Sequence, residues 1–273
     1  MLSVAILDMY NGAPNQGMRN IHQLLDTFAI SHNIQLKRQV FDVRGAHDIP
    51  SLDFDVYIGS GGLGSPIDPE GWENDWKGLV KEIMQHNRVE PKKKWMFMIC
   101  HSFQLMCYHF NLAHVNKRQK ESFGIFPMHQ TKQGKQNALI AALSDPFYAV
   151  DSRKWQVIQP NLNALNKMGA EILAIEKNKP NVSFERATMA IQFSKEILGT
   201  QFHPEADAIG MLHYLEADEK KEFIIQTYGL KKYKDMVESL EDPKKIALTQ
   251  QLIIPVFLKT ALDNVKQTMA NIA

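Results

Sequence analysis

The first residue in this chain that could do chemistry is a cysteine at the end of an apolar run. In Phe97-Met98-Ile99-Cys100-His101-Ser102-Phe103-Gln104-Leu105, apolar residues lead to Cys100 and a helical pattern follows. A thiol held where a buried strand turns sharply into a helix has the geometry of a nucleophile elbow, and a helix N-terminus favours the negative charge of a thiolate. Burial is the rival reading, because cysteine often behaves as a small buried hydrophobe; Cys107, in the helix that follows, is read that way. A partner base decides between them, and Gly199-Thr200-Gln201-Phe202-His203-Pro204-Glu205 supplies one. In extended chain, residues i and i+2 face one side, so Glu205 can orient the imidazole of His203 while Pro204 stiffens the link. That is the arrangement of a nucleophile, base and carboxylate triad; taken singly, His203 also reads as a structural histidine at a sheet edge. The third segment, Ile58-Gly59-Ser60-Gly61-Gly62-Leu63-Gly64-Ser65-Pro66, can bring bare backbone N–H groups close to a substrate oxygen. A flexible or phosphate-binding loop fits the same residues.

Together the three segments resemble the signatures of class I glutamine amidotransferases, in order and spacing, over about residues 1–207. The His-Pro-Glu segment is the most specific of the three and the glycine loop the least. The resemblance implies that Cys100, His203 and Glu205 form a triad that attacks the side-chain amide of glutamine, forms a glutamyl thioester and releases ammonia. It also implies an oxyanion hole from the backbone N–H groups of Gly62 and His101, with Gly61 and Gln104 at the substrate, and no cofactor or metal. Two departures stand out. The family's elbow glycines, two before and two after the nucleophile, are Met98 and Ser102 here; glycine relieves crowding at such a turn. The middle segment reads Phe147-Tyr148-Ala149-Val150-Asp151-Ser152-Arg153, where Ser152 and Arg153 are expected at the site, Arg153 as a fork for a carboxylate. A surface ion pair is the alternative for Arg153.

Part of the chain, Tyr108-His109-Phe110, Phe123-Gly124-Ile125-Phe126 and Ser152-Arg153, also resembles homoserine O-succinyltransferases, which share the fold and triad. Three functions follow. The leading one is hydrolysis of the side-chain amide of glutamine or a γ-glutamyl compound, with a separate synthase subunit as ammonia acceptor. The others are acyl transfer to an amino-acid hydroxyl and a non-catalytic binding module on this fold. Activity is expected to fall at acid pH as His203 takes up a proton.

These residues need a sheet to position them. Val4 to Met9, Gln35 to Val43, Phe54 to Gly59 and Trp95 to Ile99 read as strands. Between them, Met18, Ile21, Leu24, Leu25 and Phe28, and then Trp72, Trp76, Leu79, Val80 and Ile83, recur at helical spacing. Strands alternating with amphipathic helices imply an α/β fold, a mostly parallel twisted sheet of flavodoxin-like type with helices on both faces. Ligands of such sheets collect at the carboxyl ends of strands. Shorter β-rich runs, Phe147 to Val150, Glu171 to Ile175, Val182 to Glu185 and Thr188 to Phe193, are expected to complete the sheet, some antiparallel. Residues 208–273 read as a helical C-terminal extension packed on the same domain, ending in a long helix kinked at Pro255.

Composition narrows the partners. With 31 basic and 30 acidic residues in 273, a net charge of +1 offers no field to hold a phosphate backbone, so nucleic acid is not expected. The apolar run Leu252 to Leu258 is far short of a membrane span of roughly 20 residues. Two cysteines give no disulfide framework, and a reducing cytoplasm is the expected compartment.

Overall fold

The computed structural model describes residues 1–177, 185–242 and 245–270. Its nine strands are β1 (Leu2–Met9), β2 (Leu36–Asp42), β3 (Val56–Gly62), β4 (Trp95–Ile99), β5 (Ala113–Gln130), β6 (Phe147–Pro160), β7 (Glu171–Glu176), β8 (Thr188–Gln192) and β9 (Ile197–Thr200). The helices are α1 (Gln16–Ser31), α2 (Glu73–Val89), α3 (His101–His109), α4 (Leu162–Met168), α5 (Ala208–Glu216), α6 (Asp218–Tyr228), α7 (Leu230–Glu241) and α8 (Ile246–Ala270). One sheet runs β2-β1-β3-β4-β9-β8-β7-β5-β6. Its first five strands are parallel, and the remaining four pairings are antiparallel.

The parallel half is buried on both faces, which explains its nearly unbroken apolar strands. Along β1, Val4 and Ile6 join one core with Leu24 and Phe28 of α1 and Ile254 and Phe257 of α8. Ala5 and Leu7 face the other core, with Trp76 and Val80 of α2 and Phe103 of α3. The strand pleat thus divides one sequence run between two cores. By length and composition Ile246–Thr268 is apolar enough to cross a membrane. In this fold, however, Phe257 of α8 meets Trp95 and Phe97 edge-on, and Ile253, Leu258 and Leu262 lie buried in the same core. The helix continues through Pro255.

Two strands are longer than their sequence signals. The run starting at Phe147 extends to Pro160, and its partner Ala113–Gln130 carries no continuous apolar signal. The two pair antiparallel; the charged stretch Lys117 to Glu121 interrupts β5, and the buried Asp151 and Arg153 interrupt β6, so the apolar signal stops short of the strands' length. Of the expected strand Val182 to Glu185, residues 182–184 lie outside the described residues and Glu185 is in no strand. Beyond the sheet, α5, α6 and α7 gather a third small core from Leu215, Ile224, Tyr233 and Met236, joined to Val150 of β6 and to Ala206.

Candidate active site

The elbow begins with β4, buried along its length, and the chain reverses at Cys100 with φ 49° and ψ −94°. Positive φ in a residue other than glycine costs of the order of 1–2 kcal/mol, so the neighbours must hold it. The Cys100 N–H donates to the Thr200 carbonyl at 2.7 Å, and its own carbonyl accepts from Gln104 N–H at 3.0 Å, starting α3. Ser102, in place of an elbow glycine, is accommodated by the adjacent strand. A Cβ on Gly59 would stand 2.9 Å from the Ser102 Cβ, so the missing side chain lies on β3 instead of on the elbow. Ser102 Oγ also accepts from Ile99 N–H at 2.8 Å. Met98 points into the core beneath α2 and α3.

Behind the thiol lies a relay of amides. Gln104 Nε2 donates to Gln201 Oε1 at 3.2 Å and lies 3.3 Å from the Trp155 carbonyl, while Gln201 Nε2 points at the Cys100 sulfur at 3.6 Å. Gln104, expected at the substrate, is therefore committed to buried partners and does not line the cavity described below. Gln201, present in the sequence signal but given no role there, is a side chain that touches the sulfur.

His203 follows β9 and forms an isolated bridge with Val150, its N–H donating to the Val150 carbonyl at 2.8 Å. Phe202, facing the opposite way, is fully buried against Phe147, which fixes the face His203 presents. His203 Nδ1 and Glu205 Oε1 are 2.7 Å apart, the contact expected from the sequence, although Pro204 and Glu205 lie in a turn and not in extended chain. Burial alone would lower the imidazole pKa, but negative charge at Glu205 and at Cys100 holds it well above the ordinary value. That direction, above the ordinary imidazole range, runs against an acid loss of activity set by His203 at its usual pKa. Gly61 makes room for this arrangement: a Cβ there would stand 3.1 Å from His203 Cε1 and 2.8 Å from the Tyr10 hydroxyl. Gly62 is equally confined, a Cβ meeting the Met9 carbonyl at 2.7 Å. The His101 imidazole is buried and kept neutral; burial first, then nearby Arg44, push its pKa down to about 3.

Cys100, His203, Glu205, Gly62 and Ser152 open onto one cavity of about 620 Å³, within the range of small-molecule sites. Part of its wall was not legible in the sequence: Tyr10, Asn15, Gln16, Gly17 and Asn20 from the β1–α1 connection, with Met211, Tyr214 and Lys220 above them on α5 and α6. Arg153 is elsewhere. The pleat turns Ser152 toward the thiol, its carbonyl 3.8 Å from the sulfur, and sends Asp151 and Arg153 to the other face. There Arg153, its side chain fully buried, bonds Asp151 through Nε at 2.9 Å and lies 3.4 Å from Glu176. Both expectations for Arg153, a substrate fork and a surface ion pair, are corrected by this buried ionic cluster.

The family model for class I glutamine amidotransferases matches residues 16–217. A search of curated proteins gave no match. The fold is similar to that of a glutamine amidotransferase from Thermotoga maritima (13% identity, TM-score 0.63, covering 95% of this chain and 97% of that one). It is similar also to a glutamine amidotransferase from Methylobacillus flagellatus (13%, 0.64, 96% and 94%). The glutaminase domain of Trypanosoma brucei CTPS with bound acivicin matches over a smaller part (14%, 0.57, 75% and 86%).

Proposed function

This chain belongs to the class I glutamine amidotransferase family, and from that premise we propose that it hydrolyses the side-chain amide of glutamine or of a γ-glutamyl compound through a thioester on Cys100. The observation that carries the reading is the 2.7 Å contact between His203 and Glu205, in a cavity shared with a cysteine at a positive-φ elbow.

The Cys100 thiolate attacks the amide carbon, and the carbonyl electrons move to oxygen, which the backbone N–H groups of Gly62 and His101 receive. The His203 imidazolium gives its proton to the departing nitrogen, the C–N bond breaks, and ammonia or an amine leaves. Neutral His203 then takes a proton from water as that water attacks the thioester, releasing glutamate and regenerating the thiolate and imidazolium. Glu205 holds the imidazole in orientation throughout and stabilises its charge. When glutamine is the substrate, ammonia passes to a separate synthase subunit, a role supported by the likeness to a glutaminase domain. The two free cysteines favour a cytoplasmic setting.

The test is incubation of the purified protein with glutamine and with γ-glutamyl amides, measuring glutamate and ammonia, alongside labelling by an electrophilic glutamine analogue. Glutamate release and labelling at Cys100 are expected. Consumption of acyl-CoA with neither of these would overturn the reading.

A further inference from the structure

Of the side chains that the sequence offers for binding a substrate, Ser152 lines the cavity, while Gln104 and Arg153 both face away from it. Another pair of features takes their place. Tyr10 follows β1 directly, and its N–H donates to Asp8 Oδ1 at 2.8 Å, which fixes the turn. Its side chain is nine-tenths buried at the cavity wall. The hydroxyl makes no hydrogen bond to any of the described residues. With no protein acceptor and a place in the cavity wall, the hydroxyl is free to donate to a group that enters the cavity.

The first turn of α1 lies beside that hydroxyl. Asn15 caps the helix, accepting from Met18 N–H at 2.8 Å, and Asn15, Gln16 and Gly17 line the cavity. No acidic residue stands in this first turn to neutralise the positive end of the 16-residue helix. Gly17 brings the two together: a Cβ there would lie 2.5 Å from the Tyr10 oxygen. We propose that Tyr10 and the N-terminus of α1 form the subsite for the α-carboxylate of the glutamyl unit, with the phenol donating to a carboxylate oxygen and the helix end supplying the favourable field. The proposal rests on the reading of this cavity as an amide-hydrolysing site. Burial, with Glu205, Cys100 and Asp8 nearby, holds the Tyr10 pKa well above its ordinary value, so the phenol remains a donor across the working pH range.

The test separates binding from turnover. L-Glutamate is titrated calorimetrically into Cys100→Ser and into Cys100→Ser/Tyr10→Phe, and the α-carboxamide of glutamate is titrated into both. Loss of one hydrogen bond to a charged group predicts about 10- to 100-fold weaker glutamate binding in the double variant. The α-carboxamide should bind both proteins within about threefold, since it lacks the charge that the subsite reads. Gly17→Ala in the Cys100→Ser background should weaken glutamate similarly by displacing the phenol, although alanine favours the helix. An unchanged glutamate affinity in Tyr10→Phe, an equal loss for both ligands, or no glutamate binding by Cys100→Ser overturns the subsite. Tyr10-dependent glutamate binding in a protein whose wild type hydrolyses no amide overturns the proposed reaction and leaves the subsite standing.

Discussion

Ser102 Oγ and the carbonyl oxygen of Gly59 lie 2.9 Å apart, a hydrogen bond that ties the first turn of α3 to the neighbouring strand. Glycine on β3 and serine at the elbow are thus two halves of one packing solution, in which the strand gives up the side chain that the elbow keeps. Gly59→Ala should destabilise the fold by about 1–3 kcal/mol through overpacking. Ser102→Gly in the same chain should recover part of that loss, because it removes the clashing atoms. Urea denaturation of the single and double variants gives the coupling; strictly additive effects would mean that the two residues do not share the space.

Cys100→Ser should lower kcat/KM by about 10⁴-fold or more, as when one member of a cooperating triad is removed. Cys107→Ser should leave kcat/KM largely intact, since that thiol is buried among core side chains and burial pushes its pKa well up. Steady-state kinetics and electrophile labelling of both variants distinguish them. Equal losses would remove the elbow assignment.

The raised pKa of His203 sets the sign of a pH effect. In the proposed mechanism the imidazolium is the proton donor to the leaving nitrogen, so kcat should fall on the alkaline side, above the ordinary imidazole range, with an apparent pKa that belongs to the Cys100–His203 pair. Glu205→Gln removes the leading charge that raises this pKa, so the alkaline limb should move to lower pH while kcat drops by roughly 10²–10⁴-fold. The stability linkage has the same direction. The contribution of His203 is complete below the unfolded-state value, near 6.5, and is lost as pH rises through the higher folded-state value. An alkaline limb that stays in place in Glu205→Gln would exclude His203 as its origin.

Arg153→Ala should act on stability more than on substrate binding. It leaves Asp151, 1% exposed in its side chain, without its cationic partner, and breaking a buried pair this way costs about 3–5 kcal/mol. Chemical denaturation is expected to show that loss, with KM changed less than about threefold in the fraction that remains folded. A raised KM at unchanged stability would return Arg153 to the substrate.

Much of the site could be read from sequence because its parts follow simple periodicities. Cys100 and His203 each come just after a buried strand in the parallel half, and Glu205 follows at the i, i+2 spacing. Arg153 shows where this reasoning stops: its type fits a carboxylate, but the pleat of a strand longer than its apolar run decides its face. Tyr10 and Gly17 carry no signature spacing, and their meeting depends on how α1 returns across the sheet. Gln104 and Gln201 are 97 residues apart, so their contact, and with it the withdrawal of Gln104 from the cavity, exists only once β4 and β9 pair.

The roof of the cavity is built differently from its floor. Cys100, His203 and Gly62 are held by strands and by main-chain contacts, whereas Met211, Tyr214 and Lys220 belong to helices organised around Leu215, Ile224 and Met236. For protein engineering this separates the side chains of one cavity wall from those that hold Cys100 and His203. A library confined to Met211 and Tyr214 varies that wall without touching any support of the elbow, so the choice of ligand becomes a question that can be put to the helices alone.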